Sequence, residues 1–130
     1  MTNSELQNKL FKDYGLQSED FFKHQHYTII TRSGIEKIAA GANITIKFED
    51  KVLEKDFSVI KAYATKGDTT IETYGSAKYG SYKEGNTSTW YIAEMAQKRA
   101  FSRAVLQIEN LYQHGVFGQE ESESFKRETL

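Results

Sequence analysis

The stretch from Thr89 to Tyr112, TWYIAEMAQKRAFSRAVLQIENLY, is an uninterrupted helical pattern without glycine or proline. At about 100° per residue, Ala93, Ala96, Ala100, Ala104, Ile108 and Leu111 fall in one sector, and Phe101 and Val105 widen it. Alanine lets a helix backbone come close to whatever it packs on. Arg99 and Arg103 lie one turn apart on a flank of that sector, where they are expected to face outward beside a sheet. Lys98 points elsewhere, near Glu94 at i,i+4. Thr87 or Ser88 is the expected N-cap, and Gly115 the expected terminator.

Upstream of that helix the period is two. Ile44, Ile46 and Phe48 alternate with Thr45, Lys47 and Glu49, as in a strand with one wet face. Asp50-Lys51 reads as a turn or a bulge. Val52 to Thr65 reads as a strand with both faces of its later half covered. Lys66-Gly67-Asp68 is a hairpin signal, and Thr69 to Tyr79 is the next strand. Gly80 to Ser88 is a polar, glycine-containing loop. Val116-Phe117 is expected to dock back on the core.

At the N-terminal side, Ser4 to Tyr14 reads as a short helix ended by Gly15. Ser18 caps a turn that sets Phe21 and Phe22 against the core. Tyr27 to Thr31 is β-rich. Ser33 is positioned to cap a short helix, GIEKIAA, with Glu36 as capping-box partner and Gly41 as its end. The expected organisation is an N-terminal helical segment over 1–26, an α+β core over 27–117 and a polar tail over 118–130. The expected fold is α+β, an antiparallel sheet of three or four strands packed against one long C-terminal helix, with short helices before it. An open sheet of that size leaves edges, which an oligomer could cover, a ring being one closed form.

Composition narrows the function classes. The chain has 130 residues, enough for one domain with a modest core. It has no cysteine, which excludes disulfides and thiolate metal sites. Proline is also absent, where average usage of about 5% would give roughly six. No apolar run is long enough to span a bilayer, and the first fifteen residues carry no signal-peptide core. The expected setting is the cytoplasm. Net charge is −1. Lys and Arg outnumber Asp and Glu twelve to ten over 27–117, whereas both ends are acidic. Any cationic surface must therefore come from placement.

Three chemistries can be weighed. His24 and His26 share a strand face, with His114 as a distant third imidazole. No acidic residue lies within three positions of the pair, so no metal site is assigned. Glu49, Asp50, Lys51, Glu54 and Asp56 match no nuclease spacing. The chain lacks GxSxG, a P-loop and GxGxxG, and Gly75 to Gly80 lacks the GK[ST] end of a phosphate loop. No catalytic residue, cofactor or small-molecule substrate is assigned.

Nucleic-acid binding fits better. Lys47, Lys55, Lys61, Lys78 and Lys83 are spaced over strands and loop, with Lys98, Arg99 and Arg103 on the helix. Tyr74, Tyr79, Tyr82, Trp90 and Tyr91 cluster around the loop. Cations that track a backbone, with aromatic platforms between them, are what a single strand needs. The plainer alternatives are edge-strand lysines kept for solubility, a Trp90 that anchors the helix, and arginines that bridge to a neighbouring subunit.

The block AEMAQKRAFSRAVL (93–106), followed by GVFGQEE (115–121), resembles a pattern in phage-encoded single-strand DNA annealing proteins. These are relatives of the eukaryotic recombination mediator that anneals strands during double-strand-break repair. The order of three strands then a long helix, Asn43 to Tyr112, is similar too. Thr73-Tyr-Gly-Ser-Ala77 resembles that family's glycine turn late in the third strand. The resemblance covers roughly 43–121. It implies that Lys98, Arg99, Ala100 and Phe101 occupy the helix run that contacts the DNA backbone. Arg103 lies one position late, with Ser102 where the family has Arg. It also implies ATP-independent annealing by a ring that holds single strands in an outer groove. The expected function is thus non-enzymatic single-strand DNA binding and annealing in phage-type recombination, with Tyr79, Tyr82 or Trp90 stacking on bases. The alternative is an oligomeric α+β interaction module that does not bind nucleic acid.

Overall fold

A computed structural model describes residues 3–24, 27–80, 84–87 and 90–121. The fold is α+β, and it has two three-stranded sheets where one was expected. Helix α1 (Asn3–Tyr14) leads through a 3₁₀ turn (Ser18–Asp20) into strands β1 (Phe21–His24) and β2 (Tyr27–Ile30). Helix α2 (Arg32–Gly41) precedes the meander β3 (Thr45–Leu53), β4 (Phe57–Lys66) and β5 (Thr69–Lys78). Helix α3 (Ile92–Ile108) follows, then a 3₁₀ turn (Tyr112–His114) and strand β6 (Val116–Gly118). The long helix is therefore not the last element. The chain returns after it, and β6 pairs in parallel with β2, whose other neighbour is the antiparallel β1.

The meander is antiparallel in the order β3-β4-β5. The expected irregularity at Asp50-Lys51 is a bulge, since the register shifts between Asp50 and Val52. The expected strand Val52 to Thr65 is interrupted. Leu53 ends β3, and the Glu54 N–H donates to the Phe57 carbonyl at 2.8 Å to close a hairpin. Gly67 turns the next hairpin at φ +60.

Small residues on both partners bring α3 onto this sheet. Ala96, Ala100 and Ala104 are fully buried against a surface made by Ala62, Ala64 and Ala77 together with Gly75. A Cβ on Gly75 would lie 2.1 Å from the Ala96 carbonyl oxygen and 2.3 Å from the Ala100 nitrogen. Gly75 is thus a contact position inside β5 and not a turn, which corrects the reading of Thr73–Ala77. Beside it, the buried Thr73 hydroxyl donates to the Ala100 carbonyl at 2.9 Å, so the close approach leaves no orphaned hydroxyl.

A second core joins α1, α2, β2 and the far end of α3 through Leu6, Leu10, Ile30, Ile35, Ile38, Val105, Leu106 and Val116. Docking of Val116 was expected, whereas its pairing with β2 was not. At the junction of the two cores, Glu109 accepts from Lys66 Nζ at 2.6 Å and from the Tyr14 hydroxyl at 2.9 Å. Burial and the adjacent Glu109 carboxylate push the Tyr14 phenol up to about 12.

Several local expectations are corrected. Thr31, not Ser33, caps α2, its hydroxyl accepting from the Gly34 N–H at 3.2 Å. Glu36 pairs with Arg32 at i,i+4 instead of closing a capping box. Phe22 alternates to the surface because it sits in a strand, while Phe21 packs on the core. Helix α3 starts at Ile92 and ends at Ile108, where Asn110 takes a left-handed turn at φ 58. Gly115, also left-handed, ends the 3₁₀ turn that follows. Of the expected polar tail, Gly118 ends β6 and Glu120 is buried, accepting from the Ser102 hydroxyl at 3.2 Å. No helix among the described residues is long and apolar enough to cross a membrane.

Candidate nucleic-acid interface

Strand β5 is an edge of the meander, and an edge strand presents carbonyls and N–H groups with no strand to meet them. Here those groups are covered from α3 and from the segment before it. The Tyr74 carbonyl accepts from Arg103 Nη1 at 2.8 Å. The Ser76 carbonyl accepts from Arg99 Nη1 at 2.9 Å and from Asn86 Nδ2 at 3.3 Å. The Lys78 N–H donates to Asn86 Oδ1 at 2.7 Å, and its carbonyl accepts the Asn86 and Thr87 N–H groups. The second Arg99 nitrogen donates to the Asn86 carbonyl at 2.8 Å, tying this segment to the helix.

The expectation of two outward arginines is corrected accordingly. Arg99 is 5% exposed and spends its fork on backbone carbonyls of its own chain. A guanidinium held there reaches no phosphate in this conformation. Arg103 is half-exposed, caps Tyr74 and faces Glu121 at 3.7 Å. It lines an open groove of about 530 Å³ with Thr73, Tyr74, Gln107, Tyr112 and Glu121. Burial and the neighbouring Glu121 carboxylate raise the Tyr112 phenol, which donates to Glu121 at 2.9 Å. Lys98 forms no ion pair with Glu94 and instead sits 5.8 Å from the centre of the Tyr91 ring.

The cations that do reach the surface lie elsewhere. The register puts Lys47, Glu49, Lys61, Tyr63, Glu72, Tyr74 and Lys78 on the sheet face away from α3. Lys61 sits between the Tyr63 and Tyr74 rings, at 4.9 and 5.5 Å, and is ion-paired with Glu72. That hydrogen-bonded carboxylate raises the Lys61 ammonium, keeping it charged. Lys51 likewise pairs with Glu49. Lys47, Lys51, Lys61 and Lys78 stand against Glu49 and Glu72, so this face carries an excess of positive charge. Lys47, Lys55 and Lys78 are exposed and pair with no described carboxylate.

One end of the sheet gathers the aromatics. Tyr79 follows β5, donates its N–H to the Asp56 carbonyl at 2.8 Å and is 53% exposed. That bond places it beside the Glu54–Asp56 hairpin that carries Lys55. Ile92 and Met95 pack on Ile60 and Ala77, so the start of α3 lies over the same end. Trp90 stands just before it, edge-on to Tyr91 at 5.6 Å, and is 84% exposed. Sequence reasoning placed Trp90 inside the helix. The structure sets it outside, with its indole largely in solvent beside the Tyr91 ring. Lys55, Lys78 and Tyr79 thus share one end of the sheet, the start of α3 with Tyr91 and Lys98 lies over that end, and Trp90 stands just before the helix beside Tyr91. Asn86 was not singled out in the sequence, and its partners lie eight and ten residues away, so no local pattern marks it.

Tyr82 and Lys83 lie outside the described residues, as do His26 and the proposed cap Ser88. Thr87, the other proposed cap, instead bridges to Tyr79, and Tyr91 stands at the N-cap of α3 with no side-chain cap bond. Among the described residues no group of three His, Cys, Asp or Glu side chains could hold a metal ion. No family model, curated protein or solved structure matches this chain.

Proposed function

We propose that this protein binds single-stranded DNA without sequence preference and promotes annealing of complementary strands, with no catalytic step of its own. The observation that carries the proposal is the exposed indole of Trp90 at the same end of the sheet as Tyr79, Lys55 and Lys78. A tryptophan in water forfeits the burial that makes the residue useful to a core. Exposed aromatics between unpaired lysines suit a strand whose bases stack and whose phosphates lie near ammonium groups. The resemblance of 93–106 and 115–121 to phage annealing proteins points the same way. The phosphate contacts are assigned to Lys47, Lys55, Lys61, Lys78 and Lys98, with Arg103 beside them. Arg99 holds the strand edge instead.

Annealing follows from such a surface if stacking and phosphate contacts leave Watson–Crick edges free for a second strand. The test uses the single tryptophan as its own reporter. Titration with oligo-dT at low salt is expected to quench Trp90 emission and to raise the anisotropy of labelled oligonucleotide. Both signals should fade as salt rises. A flat anisotropy trace at low salt removes the proposal, as does binding that leaves Trp90 emission untouched.

The second reading is an oligomeric interaction module that ignores nucleic acid. One observation favours it, the exposed edge of β3, where Phe48 and Leu53 face solvent. The same oligo-dT titration separates the two.

A further inference from the structure

The two edges of the meander are treated differently. The β5 edge is covered by Arg103, Arg99 and Asn86. The β3 edge, nine residues long, has no described strand beside it and carries Phe48 and Leu53 at 37% and 57% exposure. A long open edge with apolar side chains is a template for another strand. We infer that β3 pairs antiparallel with β3 of a second copy of this chain, about a two-fold axis through Phe48, to give a continuous six-stranded sheet.

The occupant follows from the edges and the charges. Head-to-tail addition of β3 to β5 of a neighbour would have to displace both guanidinium groups from the Tyr74 and Ser76 carbonyls. Pairing of β3 with itself displaces nothing described. Because side chains alternate, only registers that match residues of the same parity keep each face continuous. Centring on Lys47, Glu49 or Asp50 sets that residue against its own copy, like charge on like charge. Centring on Ile46 forms no opposite-charge pair. Centring on Phe48 places Lys47 opposite Glu49 of the second copy, and Glu49 opposite Lys47, on the outer face. The two Phe48 rings meet on the helix side. This register lies in the regular part of β3, ahead of the bulge. Both α3 helices then lie on one side, and the lysine-bearing outer faces join into one surface. The pairing stands whether or not the protein binds DNA.

The test is sedimentation velocity of the full chain at micromolar concentration. The parent is expected to be dimeric, or a higher assembly built from such dimers. Lys47→Glu and Glu49→Lys each turn two attractive pairs into repulsive ones and should weaken association by roughly tenfold or more. The double swap Lys47→Glu/Glu49→Lys restores opposite charges and should restore association. Circular dichroism keeps loss of folding apart from loss of assembly. The chain has no cysteine. Phe48→Cys therefore places one thiol per copy at the axis, where directly opposed Cα atoms lie about 4.5–5.5 Å apart, within disulfide reach. A covalent dimer under mild oxidation supports the pairing. A monomeric parent, or an assembly indifferent to Lys47→Glu, overturns it.

Discussion

The Arg99 guanidinium donates to the Ser76 carbonyl at 2.9 Å, joining the middle of the long helix to the free edge of the last meander strand. One turn on, Arg103 does the same to Tyr74 at 2.8 Å. Two arginines at i and i+4 thus meet carbonyls at j and j−2 of an edge strand. The match is geometric, since four helical residues rise about 6 Å and two strand residues span about 6.8 Å. Strand pairing at this edge is blocked by the chain itself.

Arg99→Ala removes charge-assisted hydrogen bonds from a buried site, takes the guanidinium from the Asn86 carbonyl and leaves the Ser76 carbonyl with Asn86 Nδ2 at 3.3 Å. The expected cost is about 3 kcal/mol of folding stability, read from the urea midpoint at constant slope. Arg103→Ala, half-exposed, should cost about 1 kcal/mol. Equal costs would argue against the distinction drawn between the two side chains.

Gly75→Ala pushes a methyl into the backbone of α3, where the Ala96 oxygen would lie 2.1 Å away. Neither backbone can yield cheaply, so the helix must lift from the sheet. The expected loss is about 3 kcal/mol, or failure to fold. An unchanged thermal midpoint would show that the helix and sheet are not in contact there.

Trp90→Phe, Tyr79→Ala and Lys78→Ala probe the exposed end without touching the core. Tyr79→Ala should weaken oligo-dT binding by about 1–3 kcal/mol, that is, roughly 5-fold to 150-fold. Trp90→Phe keeps a stacking face and should lose less. Lys78→Ala should reduce the slope of log affinity against log salt by about 0.7. All three should melt with the parent. Binding unaffected by Tyr79→Ala and Lys78→Ala together would move the interface elsewhere.

Asp20 gives a pH signature. Burial raises its carboxyl, but the Lys37 ammonium at 2.8 Å and the Gln17 N–H at 2.8 Å outweigh burial and lower it below its ordinary 3.8. A depressed native value means the unfolded state binds the proton more readily. The contribution is then present above about pH 4 and lost as pH falls through the native value. Urea midpoints measured from pH 6 down to pH 2.5 should fall less for Asp20→Asn than for the parent. Parallel curves would contradict the sign.

Much of the fold was legible in the sequence because periodicity reports burial directly. The alternation of Ile44, Ile46 and Phe48 located β3, Gly67 located the hairpin between β4 and β5, and the alanine series located the face that α3 buries. Of the N-terminal sheet only β2 was legible, as the β-rich run from Tyr27; β1 and β6 are four and three residues long, and β6 has its partner far away in sequence. Strands that short carry no period, and a parallel pairing of β2 with β6 leaves no local mark. The site divided in the same way. Tyr79 and Lys78 lie at a strand end as expected, whereas Trp90 falls outside the helix whose pattern it continues in the sequence.

By itself the sequence determined that a long helix would lay small residues on a meander, and that Arg99 and Arg103 would stand together on its flank. Helical geometry fixes that angle without any knowledge of neighbours. What lies at that angle was decided only by the tertiary structure. The sheet ends at β5, so the flank of α3 overhangs unpaired carbonyls, and a guanidinium fork with a long stem binds them there instead of reaching into solvent.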